Sequence, residues 1–320
     1  MGRYVEGVTR PADEPAAALE PFERERRRLT LLAYRMCGSW SDAEDVVQSV
    51  ALEWVRLSEP VDDPAAWLTT VTVRRALDAL RARRREPAYV GPWVPEPVVA
   101  APDEPYAAAE RTEALATAFL MLAEVLTPPQ RAVVVLRALG YEHTEIGEVL
   151  QISPAASRQH HTRGTRRLTE LNGRDVAADP TVGLAPMADQ REAQRLLTLF
   201  LRAARAGDVD ALLELLHTDV VAYSDGGGRV RAARRPLFGP SNVARFTAGV
   251  VARNPADRTT LRLVSVNAGP GAVLTISGDE HVLSLQVRDG LIYRLFDVSN
   301  PEKHAGLLAG VGGQAAALRR

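Results

Sequence analysis

Cysteine is almost missing from this chain: Cys37 stands alone among 320 residues. No internal disulfide framework and no Cys-rich zinc site can form. Long apolar runs are missing too. No stretch approaches the ~20 consecutive apolar residues that cross a bilayer, so no membrane span and no membrane partner is expected. The opening Met1-Gly2-Arg3-Tyr4-Val5-Glu6 runs into acid and proline without the apolar centre of a secretory signal. Glu6 stands where N-myristoylation needs Ser or Thr. These absences together predict a reducing, cytoplasmic address.

What is present is ordinary globular material, 46% hydrophobic and 25% charged. At roughly 100–200 residues per domain the length predicts two or three domains. A net charge of −1 conceals segregation. Six arginines (Arg74, Arg75, Arg81, Arg83, Arg84, Arg85) and one acid, Asp78, fall between Thr70 and Arg85. From Ser157 to Leu168 there are four arginines and two histidines and no acid. Two basic stretches separated by an acidic, Pro-rich segment suggest two contacts with one polyanion; on charge alone, two solvated helix faces would look the same.

The chain reads as a loose start over 1–20, a helical domain over 21–86, a linker over 87–106, a second helical domain over 107–171, a linker over 172–188, an α+β domain over 189–308 and a loose tail over 309–320. In the first helical domain Leu29, Leu32, Ala33 and Met36 form a stripe. Ser41 is the expected cap of a helix with Asp42, Glu44 and Asp45 in its first turn, and Asp63-Pro64 opens another. Residues 86–106 hold six prolines, which predicts extended chain. Trp93 and Val94 inside it are odd for a spacer and suggest docking into a groove. In the second domain Thr127 and Ser153, each followed by Pro, read as caps, with Thr144 capping a short helix between them. Two short helices, the second basic, make a helix-turn-helix pattern. Beyond 188, helices precede alternating strands, with Gly269-Pro270-Gly271 and Asp289-Gly290 as hairpin turns.

The basic helix carries the DNA signal. Arg158, Gln159, His160, Thr162, Arg163 and Arg166 fall on or near one face. Arg and Gln near a helix start reach base edges through paired hydrogen bonds, while Arg further along suits phosphates. A helical hairpin with a basic face can also be only a soluble bundle.

The motifs go further. Ser41-Asp42-Ala43-Glu44-Asp45-Val46-Val47-Gln48, Ala65-Ala66-Trp67-Leu68 and Arg75-Ala76-Leu77-Asp78 resemble region 2 of extracytoplasmic-function (ECF) sigma factors. Leu126-Thr127-Pro128-Pro129-Gln130-Arg131 and Ser153-Pro154-Ala155-Ala156-Ser157-Arg158-Gln159 resemble region 4 of the same group. The resemblance implies that Asp42, Asp45 and Gln48 contact core RNA polymerase. It implies that Trp67, Arg74, Arg75, Asp78 and Arg81 lie near the −10 element of promoter DNA. The helix from Ser153, with Arg158, Gln159, His160, Thr162, Arg163 and Arg166, would enter the major groove at the −35 element. Three residues depart from the pattern: Ser157 at a usually aliphatic position, Gln151 at a usual turn Gly, and Gly164 inside the recognition helix, where Gly costs ~1 kcal/mol relative to Ala.

The extension beyond region 4 resembles a SnoaL-like (nuclear-transport-factor-2-like) cone, which one branch of these sigma factors carries with three signatures. W-L-P-E-P appears as Trp93-Val94-Pro95-Glu96-Pro97, D-G-G-G-K as Asp225-Gly226-Gly227-Gly228-Arg229, and N-P-D-K as Asn300-Pro301-Glu302-Lys303, with His304 replacing the usual apolar residue after it. The resemblance implies that these segments meet and regulate activity in cis, without a separate anti-sigma factor.

The fold class that follows is multidomain, two all-α domains and then an α+β cone with a curved antiparallel sheet. The expected function is an ECF sigma factor directing promoter-specific initiation through −10 and −35 recognition. The alternative is a ligand-sensing helix-turn-helix regulator acting without core polymerase. Cones of this kind also occur in enzymes, and His281, Asp279, Asp297 and Tyr223 are the candidates for acid–base work. They read here as structural or exposed, so no catalytic residue, cofactor or metal is expected, and a small ligand in the cone is the remaining partner.

Overall fold

The computed structural model describes residues 14–57, 59–83, 89–100, 125–172, 187–254, 259–267 and 269–304. Arg84, Arg85, the segment opening the second helical domain, most of the second linker and the chain's two ends lie outside the described residues. Among the described residues no helix is long and apolar enough to cross a membrane, and no group of three or more His, Cys, Asp or Glu is placed to hold a metal.

Three helices come first: α1 (Glu14–Cys37), α2 (Trp40–Val55) and α3 (Pro64–Arg83). α1 begins inside the stretch expected to be loose, because Ala16–Leu19 are good helix formers leading into the stripe that buries Phe22, Leu29, Leu32, Ala33 and Met36. α2 buries Ala43, Val46, Val47 and Val50 at helical spacing. Its cap is Ser39, whose hydroxyl accepts from Asp42 N at 3.1 Å, and not Ser41. The reason lies one residue earlier. Gly38 takes φ 70, so the chain turns immediately after α1 and the extended Ser39 meets the first free amide. Asp63 caps α3 as expected, accepting from Ala66 N at 3.0 Å.

After a two-residue strand β1 (Val99–Ala100), which no pattern in the linker announces, come α4 (Pro128–Ala138), α5 (His143–Leu150) and α6 (Pro154–Asn172). Thr127 and Gln130 cap α4 reciprocally. α5 starts before Thr144, because the Glu145 carboxylate reaches back to accept from Glu142 N at 2.6 Å. The two helical units are not separate bodies. Leu29, Leu68, Ala76, Leu126, Val135, Ile146 and Leu168 belong to one continuous apolar core, and Arg28 donates both to Thr69 (2.8 Å) and to the Tyr141 hydroxyl (3.4 Å).

The cone follows with α7 (Met187–Ala206), α8 (Val209–Leu215), β2 (Leu216–Asp225), β3 (Leu237–Phe238), α9 (Pro240–Arg253) and the meander β4 (Thr259–Val266), β5 (Gly269–Ile276), β6 (Asp279–Arg288) and β7 (Leu291–Val298), closed by a 3₁₀ turn at Pro301–Lys303. The sheet order is β1-β4-β5-β6-β7-β2-β3. Neighbours are antiparallel except β2 and β7, which run parallel because the chain crosses over through α9 before the meander returns to β2. Gly269, Pro270 and Gly271 are strand residues paired with Val266, Ser265 and Val264, not a turn. The reversal falls at Asn267, a residue type that tolerates its φ of 47. Asp289-Gly290 is a turn, as expected, with φ 52 and 75.

Candidate functional site

The basic helix α6 is fixed at its start by Ser153, whose hydroxyl accepts from Ala156 N at 3.1 Å, after a tight turn in which Gln151 takes φ 55. Ser157, Gly164, Thr165 and Leu168 face inward, and Ser153, Arg158, Gln159, Thr162, Arg163 and Arg166 face solvent. His160 lies between the two faces, half-buried, with its Nδ1 covered. The two departures from the family pattern on this helix have structural uses. Ser157 Oγ lies 2.8 Å from His143 Nδ1, so the missing aliphatic contact is replaced by a hydrogen bond. A Cβ on Gly164 would come within 2.8 Å of Val134 Cγ2, so glycine is what lets α6 approach α4. His143 and His161 meet edge to face at 5.6 Å. Burial, and then neighbouring cationic groups including Arg137, hold both imidazoles below the usual histidine range.

On α3, Arg74, Arg75, Asp78 and Arg81 are exposed. Arg75 pairs with Glu53 and Arg81 with Asp78 at 2.9 Å. Trp67 is half-buried and packs against Trp54 at 5.5 Å between ring centres. On α2, Asp45 and Gln48 are open to solvent. Asp42 is partly withdrawn, 3.6 Å from Arg83, and burial raises its carboxyl above the usual range against the pull of Arg83.

The linker contacts both the helices and the cone. Val94, Pro95, Glu96 and Pro97 are all buried. On the cone side Asp225, with no exposed surface, gathers four donors: the Tyr89 hydroxyl (2.6 Å), Val94 N (2.8 Å), Lys303 Nζ (2.7 Å) and Gly227 N (3.1 Å). Lys303 is the one lysine in the chain. Its ammonium also donates to Val94 O at 2.5 Å and lies over the rings of Trp93 (4.2 Å) and Tyr89 (4.6 Å). Burial pulls its pKa down, and the Asp225 carboxylate opposes that pull. Asn300 donates to the Tyr89 hydroxyl at 2.9 Å, and the amides of Ser299 and Asn300 donate to Asp225 O. Gly227, at φ 56, sits where a Cβ would be 2.2 Å from Asn300 Nδ2, so the glycine run is needed for this closeness. Gly226 and Gly228 complete the turn, and Pro301 opens the 3₁₀ turn that presents Lys303. Arg229 does not reach the linker; it pairs with Glu302 at the surface, 2.7 Å away.

On the helical side the Glu96 carboxylate caps α2 from outside, accepting from Trp40 N (2.7 Å), Ser41 N (3.3 Å) and Ser41 Oγ (3.3 Å). Trp93 lies against Gly38, where a Cβ would come within 2.7 Å of the ring, with the Arg83 guanidinium 4.9 Å above it. The Tyr34 hydroxyl sits 2.6 Å from Glu96 O and 3.1 Å from Asn267 Oδ1, and Asn267 also exchanges hydrogen bonds with both backbone groups of Val98. Tyr34, Tyr89 and Asn267 are parts of this junction that sequence reasoning missed. Only the turn-forming character of Asn267 offered a signal.

Of the candidates weighed for acid–base work, His281 and Asp297 come together, 3.0 Å apart at the wall of a cavity in the cone that Tyr223 also lines, and Asp279 stays outside that wall.

Comparison with known proteins agrees with this architecture. Residues 21–86 match the Sigma-70 region 2 family and residues 116–168 the Sigma-70 region 4 family. The chain is 36% identical over 299 residues to the ECF RNA polymerase sigma factor SigJ of Mycobacterium tuberculosis, covering 89% of this chain and 92% of that one. It is 31% identical over 239 residues to SigG of the same organism, covering 66% and 62%. The crystal structure of M. tuberculosis SigJ superposes with a TM-score of 0.72 at 32% identity, covering 90% of this chain and 98% of that one. A region 2 unit, a region 4 helix-turn-helix and an appended α+β cone, matched along almost the whole chain, place this protein in the family of ECF RNA polymerase sigma factors.

Proposed function

We propose that this sigma factor reads a −10 element with the exposed face of α3 (Arg74, Arg75, Asp78 and Arg81, with Trp67 at its edge) and a −35 element with Ser153, Arg158, Gln159, Thr162, Arg163 and Arg166 of α6. Asp45 and Gln48, with Asp42 behind them, contact core RNA polymerase. An exposed arginine set on each of two helices, joined by a linker, is suited to two phosphate-anchored contacts on one duplex. The cone acts in cis and is not catalytic. It fastens the linker at Trp93–Pro97 and so keeps region 2 packed on region 4; no separate anti-sigma protein is needed for that restraint.

The observation that carries this reading is the Asp225 site, where one buried carboxylate binds linker and C-terminal turn at once. The test is to mix the full chain with purified core polymerase and select duplexes from a random library. Co-elution and recovery of a two-element sequence with fixed spacing are expected. Selection of a single element without polymerase would mean a regulator of another kind.

A further inference from the structure

The cone encloses a cavity of about 180 Å³. It is walled mainly by apolar side chains, among them Phe200, Phe246, Val250, Leu274, Leu283 and Leu295. Polar side chains interrupt that wall, among them Arg205, Tyr223, Asn254 and the pair His281 and Asp297, which are joined through Nδ1 at 3.0 Å. Nothing in promoter recognition uses either residue. An apolar cavity of ~150 Å³ already accommodates benzene, so this one has room for a ring system somewhat larger. With Nδ1 committed to Asp297, the other ring nitrogen of His281 is left for an occupant. Burial disfavours the imidazolium, but the Asp297 hydrogen bond, the Asp297 charge and Asp279 outweigh it and raise the His281 pKa. Nε2 accepts from a hydroxyl in the neutral ring and donates to a hydroxyl or carbonyl oxygen in the charged one, so an oxygen-bearing occupant finds a partner there. At the mouth Phe246 and Leu261 remain 37% and 52% exposed, as an apolar entrance would require.

The cavity also backs directly onto the linker. Side chains alternate across a strand. On β6 and β7, His281, Leu283, Leu295 and Asp297 line the cavity, while their neighbours Val282, Phe296 and Val298 are buried on the other side. There Phe296 and Val298 pack with Val94 of the linker, and Val282 with Val99. β2 and β7 run side by side with Ser224 opposite Asp297 and Asp225 opposite Val298. The last cavity residue of each strand is thus followed at once by a residue of the linker junction.

We propose that the cone cavity is a binding site for a small aromatic or alicyclic molecule carrying one hydroxyl or carbonyl oxygen, held by His281, and that occupancy is felt by the linker through β2 and β7. Binding of this kind is independent of promoter recognition and is measured on the full chain without polymerase or DNA.

Titration with 2-naphthol, and with naphthalene as the analogue lacking oxygen, tests it. One saturable site is expected, with 2-naphthol favoured by about tenfold, the scale of one hydrogen bond. His281→Leu should abolish that preference while leaving naphthalene binding in place. Val250→Trp, at the partly exposed cavity wall, should weaken both by about tenfold or more with unchanged circular dichroism. Saturation with 2-naphthol should change hydrogen exchange at the Val94 amide. Absence of saturable binding, equal affinity of parent and Val250→Trp, retention of the hydroxyl preference in His281→Leu, or an unmoved Val94 amide would each overturn the proposal. None of these results bears on whether the chain directs polymerase.

Discussion

Lys303 donates to the carbonyl of Val94, 209 residues earlier in the chain, at 2.5 Å. The same ammonium reaches Asp225 Oδ2, which in turn accepts from Val94 N. One linker residue is therefore held through both its backbone groups by an ion pair whose members come from the end of β2 and from the C-terminal 3₁₀ turn. The compact ammonium, a point charge with three rotatable donors, suits acceptors that converge on one point, in a chain that otherwise uses arginine for its fixed positive charge.

Removing one partner of that pair is expected to be costly. Asp225→Ala leaves a buried ammonium without its counter-charge, which typically costs about 3–5 kcal/mol. Lys303→Met leaves the carboxylate in the same position. Because both changes act on one interaction, the double variant should lose clearly less than the sum. Urea unfolding of the four proteins measures this, and limited proteolysis within Pro92–Pro97 should accelerate in each single variant. Simple additivity, with unchanged proteolysis, would mean that the pair does not hold the linker.

Glu96 ties the linker to α2, the helix assigned to polymerase contact. Glu96→Ala should cost about 1–2 kcal/mol, the scale of a lost helix cap with charge assistance. Glu96→Gln should recover part of it, since an acceptor remains but the favourable charge at the helix N-terminus does not. Hydrogen exchange at the Trp40 and Ser41 amides reads the effect locally. Unchanged exchange there in Glu96→Ala would remove Glu96 from this role.

Gly164→Ala sets two effects against each other. Alanine gains about 1 kcal/mol of helix propensity, but its Cβ would lie 2.8 Å from Val134 Cγ2, and overpacking of that kind costs about 1–3 kcal/mol. Net destabilisation is expected, with Val134→Ala in the same chain recovering a part. A variant more stable than the parent would show that α6 and α4 can move apart freely.

Gln159 and Arg166 should separate base reading from phosphate anchoring. In the complex with core polymerase, Gln159→Ala should relax discrimination at one −35 base pair by about 1–3 kcal/mol. Arg166→Ala should weaken all sequences alike and lower the salt slope by about 1. Binding measured across a salt series on matched and mismatched duplexes distinguishes the two. Equal losses on both duplexes for Gln159→Ala would take it off the bases.

The helical half was legible because local rules and tertiary packing agree there: Thr127, Ser153 and Asp63 cap where their side chains permit, and Leu29, Leu32, Met36, Val46, Val47, Val50, Leu68, Leu77 and Leu80 become buried. Leu52, Val55 and Leu57, expected on the same apolar face as Val50, stay exposed. Local reading misplaced the α2 cap because Gly38 reverses the chain before Ser41 is reached. It took Gly269-Pro270-Gly271 for a turn because such triplets usually are turns, and here Asn267 makes the reversal instead. The linker's anchors on Asp225 and the C-terminal turn followed from motifs. Its anchors on Tyr34, Tyr89 and Asn267 did not, because single polar residues far apart in sequence carry no periodic signal. The pairing of His281 with Asp297 was hidden for the same reason: it depends on the register between β6 and β7.

Run-off transcription tests the whole account most directly. Core polymerase would be supplied with the full chain, with a chain ending at Asn172, or with Asp225→Ala, on a template carrying the selected promoter. Initiation at one fixed start site is expected, with output that differs several-fold once the cone is removed or its hold on the linker is broken. Equal output from all three would contradict control in cis, and no sequence-selective initiation from any of them would contradict the account as a whole.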